Sequence, residues 1–324
     1  MIAPAMDRKP LDTAAVALMV VLTMLWGMQQ VAIKLALHGA TPVAQAAIRS
    51  GVATLLLLAW AQVRAIPLFE RDRTLVPGTI AGLLFGAEFF LIYFGLNYTA
   101  ASRMVVFVAL SPILTALGLA WLVPGERLGG VQWAGVLLAF AGIALAFADG
   151  FAAQTRSTVF GDLCGVGAAI FWAATTVLIR ATRLANARAE KTLLYQLAVS
   201  AVGLALASPA IGEAGVVRVD ALVLASLAFQ GVVVAFASYL AWFWLLTRYL
   251  AARLSVFSFL TPLFGVALGV LLLGESLSLR FLLAAAAVAT GITLVNRHAR
   301  QHRAHVRSRS QGRPRPRWHR TPRA

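Results

Sequence analysis

Charged residues are scarce in this sequence. Only 12% of its 324 residues are Asp, Glu, Lys or Arg, whereas 60% are hydrophobic and the mean hydropathy is +0.82. A water-soluble domain of this length needs more polar side chains to cover its surface. The apolar residues instead fall into runs of about 20, the length with which a helix crosses a bilayer. These runs predict an all-α integral membrane protein, because a helix satisfies its backbone polar groups internally.

Cysteine and histidine are also few, and neither is clustered. The single cysteine, Cys164, excludes an internal disulfide, and four of the five histidines lie in the C-terminal tail, with His38 in a short predicted loop. The sequence has no HExxH-type metal ligands, no clustered acids and no Walker A loop. We therefore expect no cofactor, no metal and no ATP-driven step. A membrane-embedded enzyme is kept only as a distant alternative.

Ten transmembrane helices are predicted from the apolar runs. They cover about 13–36, 42–63, 76–97, 101–123, 130–148, 161–181, 190–209, 221–246, 253–273 and 279–296. The predicted organisation has five parts: a cytoplasmic N-terminus (1–12), a first five-helix repeat (13–148), an extracytoplasmic linker (149–160), a second five-helix repeat (161–296) and a disordered basic cytoplasmic tail (297–324).

The two halves of the chain resemble each other. The segment around one proline in the first half returns 150 positions later around another: Arg103, Phe107, Leu110, Ser111 and Pro112 correspond to Arg253, Phe257, Leu260, Thr261 and Pro262. Trp26 likewise corresponds to Trp172, at an offset of 146. Because each half has five predicted spans, an odd number, the second half enters the membrane in the opposite orientation. This predicts a 5+5 inverted repeat, which in many transporters creates a midplane site and two access states.

The distribution of Lys and Arg predicts the orientation. With the N-terminus inside, inner segments carry twelve Lys and Arg before the tail is counted, and outer segments carry six. The positive-inside rule then places both termini in the cytoplasm, with the protein multi-pass in the inner or plasma membrane. Ten arginines and no acid follow residue 296. We interpret this tail as solvated and weakly attracted to anionic lipid, and we expect no nucleic acid partner.

Four segments carry a resemblance to a known family: LWGMQQVAIKLAL, SPILTALGLAWLVPGERL, GDLCGVGAAIFWA and TPLFGVALGVLLLGESL. They resemble the drug/metabolite transporter superfamily, and more narrowly its EamA-type ten-helix exporters, including the aromatic amino acid exporter subgroup. The resemblance covers about residues 13–296. It implies a bundle with a central cavity, with the fifth and tenth helices as scaffold, and export of amino acids or other small metabolites. The sequence departs from its own repeat at Pro124, where the second half has Leu273.

The leading hypothesis is a secondary transporter, not an enzyme, whose partners are the lipid bilayer and a small-molecule substrate. It would export an amino acid or a related metabolite by alternating access at a cavity between the repeats. The alternatives are a carrier for drugs or nucleotide-type metabolites, and an importer or facilitator.

Two charged residues inside predicted spans are candidates for substrate binding. Glu88 lies near the middle of the third span, where an ionised carboxylate costs several kcal/mol unless it is paired, hydrated or protonated. It is predicted to face the cavity and bind a substrate amine or act as a proton site; a protonated carboxyl bonded to a neighbouring helix is the alternative. Arg49 could hold a substrate carboxylate, pair with Glu88 or snorkel towards the interface. A Glu88–Arg49 pair would suit a zwitterion.

The other candidate cavity residues are aromatic or polar. Trp26 and Gln30 share one face of the first span, and Trp172 and Thr176 repeat that layout in the sixth. Tyr239 and Trp242 lie in the eighth span and complete the predicted lining. Packing between helices is the alternative for each of these side chains.

Two further features bear on movement and assembly. Pro112 and Pro262 each remove a backbone hydrogen bond, so they are candidate hinges, with static kinks as the alternative. The fifth and tenth spans are rich in Gly and Ala. Such residues favour close helix contact, either inside the chain or in a homodimer.

Overall fold

The structure is a computed structural model that describes residues 11–70, 72–99, 101–123, 126–146, 156–273, 279 and 282–295. The predicted basic tail, most of the predicted linker and the side chains of Gln30, Lys34 and Arg103 lie outside that description. Within the described ranges the chain forms helices and no strand, apart from an isolated bridge between Ala40 and Val216.

The first half begins with three long helices, α1 (Thr13–Ala36), α2 (Pro42–Val63) and α3 (Leu75–Gly95). Three shorter ones follow, α4 (Ala101–Val108), α5 (Ser111–Leu122) and α6 (Gly130–Ala146). The break between α4 and α5 falls beside Pro112, which occupies the first turn of α5. Proline is favoured there because its missing N–H would have no intrahelical partner in any case.

The second half begins with α7 (Arg156–Ala181), a 3-10 turn (Arg183–Asn186) and α8 (Ala189–Ala210). The next helix changes its winding twice: α9 (Ala221–Ala228) continues into a π-helix (Phe229–Ser238) and then into α10 (Tyr239–Arg248). The last described helices are α11 (Ala251–Ser255), a 3-10 turn (Val256–Phe259), α12 (Leu260–Leu273) and α13 (Leu282–Val295). Pro262 lies in the first turn of α12, as Pro112 does in α5.

Six of the described helices are long and apolar enough to cross a membrane, and four shorter apolar helices accompany them. Large apolar side chains such as Leu55, Trp121 and Leu163 are exposed on their outer faces. Such faces are unfavourable in water and are covered by lipid in a bilayer. The predicted all-helical, multi-pass membrane protein is therefore confirmed for the described residues.

Small residues allow α6 and α13 to touch backbone to backbone. A methyl group on Gly291 would lie 2.4 Å from the carbonyl oxygen of Gly135, and one on Gly135 would lie 2.7 Å from that of Gly291. Gln132 adds a hydrogen bond of 2.9 Å from its side-chain amide to the carbonyl of Val295. The small residues at these positions therefore serve a contact within the chain.

The two halves of the chain also cap each other's helices. Glu213, in the second half, accepts hydrogen bonds from the backbone N–H groups of Val43 and Ala44 at the start of α2, each 3.0 Å long. Glu126, in the first half, accepts from the N–H groups of Ala251 and Ala252 at the start of α11, at 3.4 and 3.3 Å. Helix starts leave several N–H groups unpaired, and a carboxylate there satisfies them and complements the helix dipole.

Candidate functional site

A cavity of about 120 Å³ lies inside the bundle, and segments of both halves form its wall. The wall is supplied by α1, α3, the α4–α5 break, α7, α8, α10 and the start of α12. Close contact between helices of the two halves supports this wall. At Gly27 of α1, for example, a methyl group would lie 2.7 Å from the carbonyl oxygen of Thr261, next to Pro262.

Trp26 is the centre of the aromatic part of the wall. Its ring centroid lies 6.1 Å from that of Trp172, 5.7 Å from that of Trp242 and 6.1 Å from that of Tyr239, all edge to face. The indole N–H of Trp26 donates to Ser238 Oγ at 2.9 Å. Because that hydrogen bond satisfies its polar group, the ring is fixed and presents only apolar and π surface to its neighbours.

Glu88 is the one carboxylate among the described residues that line the cavity. It shares a face of α3 with Phe85 and Phe89, which follow the helical i, i+3 and i+4 spacing. The side chain is 4% exposed. Within the described part of the chain it forms no hydrogen bond and no ion pair. A buried carboxylate without a protein partner is costly, and here its open side is the cavity.

Arg49 is fully buried but is not part of the cavity wall. Its guanidinium lies 3.7 Å above the ring of Phe89, and Nη1 donates to Tyr239 Oη at 3.5 Å. Nε and Nη2 have no hydrogen-bond partner among the described residues. Arg49 and Glu88 interact electrostatically through space, yet no direct ion pair joins them in the described structure. Of the alternatives considered for Arg49, a direct pair with Glu88 does not form between the described residues, since Arg49 packs against Phe89 and Tyr239 and is not among the residues that line the cavity.

A chain of buried amides lies beside Arg49. Tyr93 Oη donates to Gln230 Oε1 at 3.0 Å, and Gln230 Nε2 donates to Gln45 Oε1 at 3.2 Å. Gln45 Nε2 in turn donates to the carbonyl of Ala40 at 2.9 Å. These three side chains satisfy one another across helices, as polar groups in a membrane protein commonly do.

Two buried polar atoms of the wall lack such partners. Gln196 Oε1 and Thr261 Oγ1 have no hydrogen-bond partner among the described residues, although both side chains line the cavity. Buried polar atoms are normally paired, so unpaired ones at a cavity surface are places where a ligand or water can bond.

The structure brings most of the sequence-predicted site residues to this cavity. Six of the eight line it: Trp26, Glu88, Trp172, Thr176, Tyr239 and Trp242. Arg49 lies behind the wall, and the side chain of Gln30 is outside the described residues. Of the two prolines, Pro262 lines the cavity, whereas Pro112 is buried in α5 beside the lining residue Ser111.

Several lining residues were not among the predicted ones. Phe85 and Phe89 could have been found from the sequence, because their spacing from Glu88 places all three on one face of α3. Ser258 and Thr261 carried no comparable signal. They reach the wall because the chain winds as a 3-10 turn just before α12, which pattern reading does not detect.

Arg180 does not line the cavity and instead binds Glu126 in a buried ion pair. Arg180 also donates to the carbonyl of Leu246 at 3.2 Å. With the cap that Glu126 provides to α11, this pair joins the loop before α6 to α7, α10 and α11 at one end of the bundle.

The fold and the site together define a multi-pass membrane protein with a cavity that residues from both halves of its chain line, many of them aromatic or apolar. Residues 13–148 and 159–297 each match the EamA-like transporter family. The chain belongs to that family.

Two similar proteins carry names that describe them as transporters. An uncharacterized transporter of Bacillus subtilis, YvbV, is 28% identical over 90% of this chain and 94% of its own length. A probable amino-acid metabolite efflux pump of Escherichia coli is 26% identical over 89% and 94%. One solved crystal structure matches with a TM-score of 0.77 and 22% identity over 90% of this chain and 99% of that one, which supports the fold alone.

Proposed function

We propose that this protein is a secondary transporter that exports small metabolites bearing an amino group, amino acids and their derivatives first among them, across the inner or plasma membrane. The observation that carries the proposal is the Glu88 carboxylate, which has no hydrogen-bond or ion-pair partner in the described chain and faces an aromatic cavity. A substrate ammonium would neutralise that charge, and the rings would cover the substrate's apolar part. The printed name of the Escherichia coli relative supports the direction and the class.

The proposed mechanism is alternating access between two inverted sets of five spans. The repeated sequence segments support it, as do the four shorter apolar helices at Val106–Leu122, Gly130–Leu145, Ala251–Gly265 and Leu282–Val295, which add to the six long ones. In this proposal Pro112 and Pro262 are hinges. Pro112 follows the break between α4 and α5, and Pro262 lies where the 3-10 turn passes into α12; neither proline has an N–H to contribute to an intrahelical hydrogen bond.

The proposed site consists of Trp26, Gln30, Glu88, Trp172, Thr176, Tyr239 and Trp242, with Arg49 acting from behind the wall. Glu88 is also the proposed proton site, since it is the carboxylate that the described cavity offers. A proton and a substrate ammonium cannot both neutralise one carboxylate, so the two would compete and thereby couple export to the proton gradient.

Uptake into proteoliposomes tests the proposal. Purified protein would be offered a panel of labelled amino acids and amines, with and without an imposed pH gradient. We expect several members of the panel to move, and the gradient to increase the rate. Transport that ignores the gradient would reject Glu88 as a coupling site, and a folded protein that moves no member would reject the substrate class.

A further inference from the structure

The composition of the cavity wall narrows the substrate class. Among the described lining residues there is one acid, Glu88, and no Lys, Arg or His. A zwitterionic substrate presents one charge of each sign, but this wall offers a counter-charge only to the positive one. A carboxylate placed here would be buried without an ionic partner, which is unfavourable in a low-dielectric site.

The unpaired polar atoms of the wall also favour a substrate that donates hydrogen bonds. Gln196 Oε1 and the ionised Glu88 carboxylate can only accept hydrogen bonds, and both lack a partner in the described chain. The Thr261 hydroxyl, also without a partner there, can accept or donate. Acceptors are satisfied by a donor. An ammonium group is a pure donor and can satisfy all three, whereas a carboxylate is a pure acceptor and can bond only to the Thr261 hydroxyl among them.

The aromatic rings complete the argument. Trp26 uses its N–H on Ser238, so its own ring offers edges and faces to the cavity beside the rings of Trp172, Trp242 and Tyr239. Aromatic faces attract cations, with tryptophan the strongest, and they favour bulky ammonium groups that are poorly hydrated.

Arg49 is the one described cation near the cavity, but its side chain is not part of the cavity wall. Its guanidinium lies against Phe89 and bonds to Tyr239, both of which stand between it and the cavity. For a substrate carboxylate to reach its unpaired nitrogens, those two rings would have to move.

Resting on the proposed transport function, we infer that, among substrates with an amino group, the cavity prefers organic cations: compounds with an aromatic or apolar body and an ammonium group, and without a free carboxylate. Decarboxylated or esterified derivatives of amino acids belong to this class. Their zwitterionic parents also carry a carboxylate and should bind more weakly.

Two permanently charged probes with the same ring and the same trimethylammonium group test this inference. Phenethyltrimethylammonium is a cation, and N,N,N-trimethylphenylalanine differs from it only by a carboxylate; neither crosses lipid freely. Affinity would be measured from the tryptophan fluorescence of the full-length protein in detergent, and flux in proteoliposomes. We expect the cation to bind at least about tenfold more tightly than the betaine, the penalty of burying an unpaired charge. In Glu88→Gln that preference should fall to less than about threefold.

Glu70→Gln makes the same chemical change at an exposed carboxylate and should leave the preference unchanged. Equal or tighter binding of the betaine by the wild-type protein would overturn the inference while leaving the transport proposal intact. If Arg49→Gln then lost betaine binding, Arg49 would be the residue that holds the carboxylate. An unchanged cation preference in Glu88→Gln would also overturn the inference. If neither probe moves, nor any amino acid or amine of the wider panel, the transport proposal fails and the inference falls with it.

Discussion

At the residue scale, the two halves of the cavity differ at corresponding positions. The residue 150 positions after Glu88 is Ser238. Glu88 faces the cavity, whereas Ser238 accepts the indole N–H of Trp26 and donates to the carbonyl of Val234 at 2.6 Å. One half thus supplies the charge of the wall and the other fixes its central ring, so a repeated sequence produces an asymmetric site.

Ser238→Ala should therefore loosen the aromatic wall. The change leaves the Trp26 N–H buried without an acceptor, which costs about 1–3 kcal/mol. Thermal unfolding in detergent should show a lower midpoint, and the tryptophan emission should shift. Thr290→Ala, which removes an exposed hydroxyl bonded within its own helix, is the matched control. Equal midpoints for the two variants would show that Ser238 does not hold Trp26.

Asp72 offers a pH-dependent test outside the membrane-spanning helices. Partial burial raises the pKa of Asp72, but hydrogen bonds from Thr74 and Lys191 outweigh it and hold that pKa at about 2, below its ordinary 3.8. Ionised Asp72 therefore stabilises the folded protein fully at pH values above its ordinary pKa of 3.8, and this stabilisation is lost as the pH falls through about 2.

Asp72→Asn should consequently lower the unfolding midpoint at pH 7 by about 1–3 °C, a small effect because the pair is partly exposed. The difference from the wild type should shrink as the pH is lowered from 4 towards 2. Glu70→Gln is again the control. A constant difference across this range would contradict the assigned interactions.

At the scale of the helix, the hydropathy of the sequence predicted where the long spans begin and end, but not where the chain winds as a π-helix or a 3-10 turn instead of an α-helix. Hydropathy placed a span at 42–63 and another at 221–246, and the structure has Pro42–Val63 and Ala221–Arg248. The second of these contains the ten-residue π-helix Phe229–Ser238. A π-helix depends on how neighbouring helices pack, which a run of apolar residues does not record. The orientation of Arg49 could not be predicted for a similar reason: hydropathy shows where a charged residue lies along a helix, but not which neighbouring helix its side chain faces.

The α6–α13 contact gives a prediction at this scale. Gly291→Ala places a methyl group 2.4 Å from a backbone oxygen of Gly135, so the helices must separate and the protein should lose about 1–3 kcal/mol of stability. Gly203→Ala meets nothing within 4 Å and should be neutral or slightly stabilising, because alanine favours the helix more than glycine does. Equal stabilities of the two variants, measured by titration with SDS in mixed micelles, would rule out the close contact.

The Glu126–Arg180 ion pair gives a second prediction at the scale of the helix. Glu126→Gln keeps an oxygen for the N–H groups of Ala251 and Ala252 but leaves the Arg180 guanidinium buried without its counter-charge, a loss of about 3–5 kcal/mol. Arg180→Gln should cost a similar amount. The double variant should cost clearly less than the sum, because neither change then strands a charge. Additive losses in the same SDS titration would show that the pair does not couple the helices.

At the scale of the whole molecule, the class of protein could be predicted from composition and its family from a few repeated segments, since both depend on long-range averages of the sequence. The cavity could be predicted only in part. Trp26, Trp172 and Glu88 were identified because an aromatic or an acid in the middle of an apolar run is conspicuous by its chemistry. Gln196 and Thr261 were not selected, since a polar residue in a span looks the same whether it joins two helices or lines a cavity.

The proposed inverted topology is tested by labelling the corresponding first loops of the two halves. In a variant whose buried Cys164 is replaced by alanine, single cysteines would be placed at His38 and at Arg188, which are exposed. We expect an impermeant maleimide added to intact cells to label the first position and not the second. Labelling of both from one side would reject the inversion, and labelling of Arg188 alone would reverse the orientation.

The exchanged helix caps have a consequence for synthesis. The N–H groups at the start of α2 are satisfied by a carboxylate 170 residues later in the chain, and those at the start of α11 by one 125 residues earlier. When α2 enters the bilayer, its partner has not yet been translated. The cap of α2 can therefore form only after α8 and the loop that follows it have been synthesised, so the first half completes this helix end with a residue of the second.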